Sequence, residues 1–450
     1  MMENKYLSFG RKLAYGSGDF ASNLAFTFVS SFILIYLTDT VGLDSKIIGI
    51  LMMISKLLDG VTDVFFGTLI DKTHSKMGKA RPWMFWSTFP LGICVVLQFA
   101  TPNAAVNLQY AYFFVIYTLM NAVFYTANNI SYSAMSALIT KNTNERVQLG
   151  VFRFIFALIS AITISSITMG LVNTFGGGTA GWRMIAIIYA VALMVINTVS
   201  VLCVKEIPTE SNDNEKVSFF NNLKYLTKNK YYLMILGIYI LQNAMGGISN
   251  GVGIYFMAYV LGDGSLLGLF SMVGMLPMII GLAFTPMLVK KWGMYKVNLI
   301  GMLVGMVICI PTAIAGLNKA IFPMLVFMMI RGFFFSPLTG TLTAIIAETS
   351  NYTRLKDNVQ VDGVMFSCSS MGVKLGGGIG SAICGWLLAA GGYNGLAEIQ
   401  TTSALNMITF MYVLVPPILY GLMTLIVWRL DIEKANKELS EKSEILPALN

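Results

Sequence analysis

The chain has 450 residues, of which 56% are hydrophobic and 12% charged, with a mean hydropathy of +0.70. Soluble domains carry about a quarter charged residues, and here apolar runs longer than the roughly 18 residues of a membrane span recur from end to end, which excludes one large water-soluble core. The net charge of +8 follows from the placement of basic residues in loops and calls for no nucleic-acid partner.

Twelve spans are predicted. Six cover 13–36, 47–70, 83–100, 110–139, 149–171 and 184–204, and six more cover 231–261, 266–289, 297–317, 321–347, 364–390 and 404–427. An unsatisfied backbone group is costly in lipid, so spans of this length rich in Leu, Ile, Phe and Ala are helices rather than barrel strands. The fold class is an all-α membrane protein, with twelve helices in two six-helix halves. With an even number of spans both termini share a side, and that side holds 23 of the 30 basic residues against three (Lys46, Arg183, Lys319) on the other. The asymmetry places both termini in the cytoplasm and the chain in the cell's inner (plasma) membrane.

The first apolar stretch is a full span without a cleavage site, so no signal peptide is expected. At its start Gly16-Ser17-Gly18-Asp19 copies the spacing of a dinucleotide fingerprint but has no βαβ unit around it, and it is set aside. The connectors after spans 2 and 8 are glycine-containing and basic in matching positions: Gly78, Lys79 and Arg81 in one, Lys291, Gly293 and Lys296 in the other. The interval 205–230 separates an N-terminal half, 1–204, from a C-terminal half, 231–428. Within it Ser218 is placed to cap a short amphipathic helix bearing Phe219, Phe220, Leu223 and Leu226. Gly376-Gly377-Gly378 and Gly380 suit close helix approach. The charged tail, 429–450, reads as a solvated helix.

The sequence contains no GxxxxGK[ST] phosphate loop, and no HExxH or GxSxG offers a hydrolytic centre. No enzymatic chemistry and no cofactor are expected, and no obligate protein partner is evident. Cys94, Cys203, Cys309, Cys368 and Cys384 are scattered through apolar segments and read as small buried hydrophobes. The sole histidine, His74, sits in a basic loop.

The informative residues are charges within spans: Asp19, Lys56, Asp59, Asp63, Arg153, Arg331 and Lys374. Each is expensive at bilayer depth and should face the interior. At about 100° per residue, Lys56, Asp59 and Asp63 fall within an arc of about 60° on one helix. A packing ion pair accounts for Lys56 and one carboxylate; the second carboxylate needs its own countercharge, which points to function. Ser336 and Pro337 follow Arg331, which suits a broken helix, and Arg331 is left outside the site.

Lys56-Leu57-Leu58-Asp59-Gly60-Val61-Thr62-Asp63, Met77-Gly78-Lys79-Ala80-Arg81-Pro82-Trp83, Tyr125 to Tyr132, Asn144-Glu145-Arg146 with Phe152-Arg153, and Asp362 to Ser367 with Lys374 downstream together resemble the glycoside–pentoside–hexuronide:cation symporters of the major facilitator superfamily, whose type member is the melibiose permease. The resemblance implies sugar transport coupled to Na+, Li+ or H+ by alternating access. It implies a sugar site of Asp19, Asn129, Arg153 and Lys374 with Ser133 beside it. It further implies a cation site of Asp59, Asp63, Thr62 and Thr126, the two carboxylates being the metal ligands if sodium is coupled. Gly18, Thr62, Asn129 and Ser133 stand where the type member has a lysine, an asparagine, an aspartate and an aromatic, which argues against a melibiose-like galactoside and weakens the case for sodium over protons. Alternatives are a sodium-dependent lysolipid transporter, which needs a large apolar cavity, and a non-transporting membrane sensor of the same fold.

Overall fold

The structure, a computed structural model, describes residues 7–140, 142–207, 227–357, 362–397 and 399–445; the amphipathic helix expected around Ser218 falls outside them. Among the described residues there is no strand, and twelve long helical stretches follow one another. They are α1 (Phe9–Val41), α2 (Ser45–Asp71), α3 (Arg81–Gln98), α4 (Val106–Thr118, Leu119–Tyr125 and Thr126–Leu138), α5 (Thr143–Thr174) and α6 (Gly178–Leu202). After the interval come α7 (Lys230–Val260), α8 (Leu266–Trp292), α9 (Met294–Leu317), α10 (Ile321–Asp357), α11 (Asp362–Ala390) and α12 (Thr402–Thr409, Phe410–Leu414 and Val415–Trp428). Ten of the twelve are long and apolar enough to cross a membrane by length and composition. The other two are α2, which carries Lys56, Asp59 and Asp63, and α3, which is 18 residues long and begins with Arg81-Pro82-Trp83.

Several helices run past the predicted span ends because their polar ends are capped or paired. The α5 N-terminus is closed by the Asn142 side chain, which accepts from the Glu145 amide at 3.1 Å, as a helix start requires. Glu145 in turn holds buried Lys12 of α1 at 3.1 Å and accepts from Thr140 at 2.7 Å. Helix α10 continues unbroken through Ser336 and Pro337 to Asp357, and the Phe333 carbonyl that Pro337 deprives of an amide accepts from the Ser336 hydroxyl at 2.7 Å rather than from Arg331. Its guanidinium instead lies 5.8 Å from the Tyr420 ring.

The chain divides into two compact units. The first comprises Met1–Asn212, Gly247–Ser271 and Ser381–Ile408. Within it α1 packs on α5 and α6, and α3 on α6, around a buried aromatic cluster in which Phe28 and Phe99 are stacked at 4.2 Å and Phe99 and Trp182 at 5.6 Å. At the far end of α1 the backbone widens into a π-helical turn, Tyr36–Val41, and stops at Gly42 with φ of 85°. There the Asp39 carboxylate accepts from the hydroxyls of Tyr259 and Tyr393 (2.6 Å) and of Thr38 (2.6 Å), and Ser45 donates to the Gly385 carbonyl at 3.1 Å.

The second unit comprises Asp213–Gly246, Met272–Gly380 and Thr409–Asn450. Helix α9 packs on α10 and α12 over a core that includes Ile235, Ile238, Met302 and Tyr420. Gly376 and Gly380 let α11 press on the α7 backbone at Ile240 and Ala244, the close approach expected of them. The tail forms α13 (Ile432–Ile445), whose expected solvation holds on one face only. Leu430 and Ile432 join the core, Asn436 donates to the Glu348 carboxylate at 2.7 Å, and only the outer face carries the exposed Lys434–Glu438 and Lys437–Glu441 pairs. Cys94, Cys309 and Cys384 are buried, whereas Cys203, just past the end of α6, is exposed.

The two matching basic connectors prove to hide a matching acid. In the first unit the Glu206 carboxylate accepts the amides of Lys79, Ala80 and Arg81 at 2.7–2.9 Å. In the second, Glu433 accepts those of Met294 and Tyr295 at 3.0 Å. Each carboxylate thus closes the free N–H groups and positive end of a helix start, following the α6 end in one half and the α12 end in the other. Gly78 and Gly293, with φ of 112° and 79°, make the turns, and a Cβ at either would meet the glutamate.

Candidate functional site

The site of the first unit is built on α1, α2, α4 and α5. On α2 the exposed Leu58, Val61 and Phe65 share the face opposite Lys56, Asp59 and Asp63 at helical spacing, so the apolar side meets lipid and the charged stripe turns inward. Asp59 is 4% exposed and accepts from the hydroxyl of buried Thr126, which also lies 2.9 Å from the Asn121 carbonyl. Lys56 donates to the Asn121 side chain at 3.1 Å and lies 5.5 Å over the Phe26 ring. Thr62 donates to the Asp59 backbone carbonyl at 3.1 Å, and Asp63 is half-buried one turn further. Thr126 and Asn121 owe their positions to the π-helical stretch Leu119–Tyr125 in α4, which, by adding a residue to the turn, re-aims side chains in the way common at functional sites.

The sugar-site candidates gather on the neighbouring surface. Asp19 and Arg153 form an ion pair, Oδ2 to Nε 2.6 Å, with side chains 13% and 21% exposed. The outer nitrogens of Arg153 reach the Ser133 hydroxyl at 3.3 and 3.4 Å. Asp19, Asn23 and Phe26 follow one face of α1 at i, i+4, i+7, and Tyr125, Asn129 and Ser133 one face of α4 at i, i+4, i+8. Asn129 is half-buried with no side-chain hydrogen-bond partner among the described residues. Phe26, on the Asp19 face of α1, stacks at 5.6 Å on Tyr125, the residue before the Thr126 that meets Asp59. The aromatic pair therefore lies where the acidic ends of the two candidate sites both reach. Lys374, half-buried on α11, belongs to the second unit.

Sequence reasoning missed Asn121, Asn128, Tyr15 and Tyr132. Asn128 is fully buried and donates to the Met84 carbonyl, Ser87 and Thr88 at 3.0–3.1 Å, so it is a packing node binding α4 to α3. The available signal was their polarity within apolar spans; which of them face a cavity and which a neighbouring helix was not encoded locally. Among the described residues no three His, Cys, Asp or Glu side chains cluster as metal ligands, which leaves the two carboxylates with neutral oxygens as the candidate donors, a set suited to a monovalent hard cation or a proton.

Intramembrane charges turned inward on an all-helical scaffold are features of a membrane transporter. The sequence profile described as MFS/sugar transport protein matches residues 14–434. The isoprimeverose transporter of Lactiplantibacillus pentosus is 31% identical over 432 residues, covering 94% of this chain and 88% of that protein. A putative glycoside/cation symporter of Escherichia coli (strain K12), YagG, is 28% identical over 91% of this chain and 89% of its own length. Among solved structures, a bacterial homolog of the human lysosomal transporter Spinster, inward-facing and unoccupied, superposes with a TM-score of 0.68 at 13% identity, covering 95% of this chain and 97% of that one. The nucleoside transporter NupG gives 0.60 at 17%, covering 92% and 99%, and both likenesses concern the fold. The chain belongs to the MFS/sugar transport protein family, and within it to the glycoside–pentoside–hexuronide:cation symporters. Neither the lysolipid transporter nor the non-transporting sensor is favoured by relatives named as symporters and importers.

Proposed function

We propose that this protein couples the inward movement of a cation to the uptake of a neutral glycoside, working by alternating access in the bacterial inner membrane with both termini cytoplasmic. The observation that carries the choice of a neutral sugar is the 2.6 Å pair between Arg153 and Asp19. A hexuronide would require a free guanidinium for its carboxylate, whereas here the two charges already balance and together offer fork donors and a bidentate acceptor to sugar hydroxyls. Asn129 adds a donor and an acceptor, Ser133 a hydroxyl, and Phe26 with Tyr125 an apolar wall of the kind sugar rings need.

Coupling rests on Asp59 and Asp63. Two carboxylates one turn apart in a poorly solvated interior resist simultaneous ionisation and Lys56 can neutralise only one of them, so a proton or a hard monovalent cation is taken up, with Thr126 and Thr62 as neutral oxygens. Cation binding draws α2 and α4 together at the Asp59–Thr126 contact, and α4 also carries the sugar-facing Asn129 and Ser133. Sugar affinity then rises with the cation, and reciprocally. The test is a thermal-shift panel of isoprimeverose, melibiose and a phenyl glucuronide, each with sodium, with lithium and at acid pH, followed by vesicle uptake under an imposed gradient. A neutral glycoside should stabilise the protein more in the presence of its cation and accumulate against its gradient. Preference for the glucuronide, or the same sugar affinity with and without every cation, would overturn the reading.

A further inference from the structure

Beneath the Arg153–Asp19 pair lies a residue outside both candidate ligand sets. Tyr132 is fully buried, and the Arg153 guanidinium carbon lies 4.3 Å over its ring. The ring is held from both ends: the Tyr132 hydroxyl donates to the Tyr15 carbonyl at 2.6 Å, and the Tyr15 hydroxyl donates to the Tyr132 carbonyl at 2.7 Å. The two rings are tilted against each other at 4.7 Å, and Ser200 of α6 donates to the same Tyr15 carbonyl at 3.1 Å. This reciprocal clasp fastens α1 to α4 directly below the charged pair.

The clasp is possible because α1 has no side chain at position 18. A Cβ on Gly18 would come within 2.8 Å of both the Ser200 hydroxyl and the Tyr132 ring, tighter than van der Waals contact permits. Gly16 works likewise against Phe152, the residue before Arg153, where a Cβ would stand 2.7 Å away. The two glycines therefore set how closely the α5 backbone before Arg153 and the Tyr132 ring approach α1 beside Asp19.

An arginine has several rotatable bonds, and its free fork would sample many directions. A ring beneath it, a carboxylate on Nε and a hydroxyl on the outer nitrogens restrict it to one plane. We propose that Tyr132 is a positioning residue of the sugar site: its ring is the platform that aims the Arg153 fork, and Gly18 determines specificity by keeping that platform in place. The proposal rests on the reading of Asp19 and Arg153 as sugar ligands. Pre-aimed donors discriminate between hydroxyls because a sugar lacking the matching hydroxyl leaves a desolvated donor unpaired. A loosely held fork re-aims and discriminates less.

The probe is whichever panel glycoside most raises the melting temperature of the wild type, together with its monodeoxy analogues. Tyr132→Leu should weaken binding of that glycoside at least about tenfold and flatten the ranking of the analogues toward equal affinity, while cation binding stays within about twofold of wild type. Tyr132→Phe keeps the ring and should restore the wild-type ranking. Gly18→Ala, a separate way of shifting the platform, should reproduce the leucine variant's flattened ranking should that variant fail to fold. If Gly18→Ala and Tyr132→Leu bind and rank the analogues as wild type does, the platform role is overturned. The underlying assignment is read separately with Arg153→Lys: unchanged affinity and ranking there would remove Arg153 from the sugar site altogether, whereas loss there with wild-type behaviour at 18 and 132 would overturn the platform alone.

Discussion

Replacing Asp19 by asparagine tests the charge balance on which the neutral-sugar assignment depends. The change preserves shape and removes the negative charge, leaving the Arg153 guanidinium with the Tyr132 ring and the Ser133 hydroxyl. Removing one partner of a fully buried ion pair costs roughly 3–5 kcal/mol. Here the side chains are 13% and 21% exposed, and the ring retains a cation–π attraction of about 0.5–2 kcal/mol, so the expected loss is about 2–3 kcal/mol. The double variant Asp19→Asn, Arg153→Gln removes both charges and should recover most of it, giving a coupling energy of about 2 kcal/mol in a double-mutant cycle. Sugar binding should be lost in both single variants and in the double, because the hydroxyl partners are gone either way, while cation binding persists. Thermal unfolding of the purified proteins without sugar, alongside sugar titration of each, separates the two effects. An Asp19→Asn protein that melts with the wild type and binds the same glycoside with unchanged affinity would refute both the energetic argument and the site.

Asp59→Cys and Asp63→Cys should each abolish cation-driven accumulation in vesicles while leaving sugar exchange or weak sugar binding in part; accumulation against the gradient by both would make the carboxylates structural. Thr126→Val removes the hydroxyl that meets Asp59 and should weaken cation affinity by about tenfold, the scale of one hydrogen bond to a charged group, as read by cation titration of sugar binding. Glu206→Ala strips three amides at the start of α3 of their acceptor and should lower stability by about 2 kcal/mol once water re-solvates them. Glu433→Ala, with two amides at stake, should lower it less, and equal melting temperatures for both variants and wild type would show the carboxylates to be incidental. Asp39→Ala leaves the hydroxyls of Tyr259 and Tyr393 without their acceptor and should cost about 2–4 kcal/mol, measured the same way.

Composition and periodicity alone determined the all-helical membrane class and the inward stripe of α2, because a bilayer admits few backbone solutions and taxes every charge in the same direction. Asp19, Asp59, Asp63 and Arg153 stood out for that reason: each is anomalous on its own, without knowledge of its neighbours. The expectation of a solvated tail held on one face only, because amphipathicity does not say what the apolar face of α13 meets, and that of a buried Cys203 failed because the residue falls just beyond the end of its helix. Matching glycine-and-basic connectors were visible in the chain, but not the acids that close them, since Glu206 and Glu433 lie more than 120 residues away from the amides they accept. Only the tertiary structure decided that Arg153 spends its charge on Asp19, that Asn121 joins Lys56 to Thr126, and that Tyr132 lies under the guanidinium. Those are pairings between helices distant in sequence, where a polar residue in an apolar span carries the same local pattern whether it stays half-buried without a hydrogen-bond partner among the described residues, as Asn129 does, or locks two helices together, as Asn128 does.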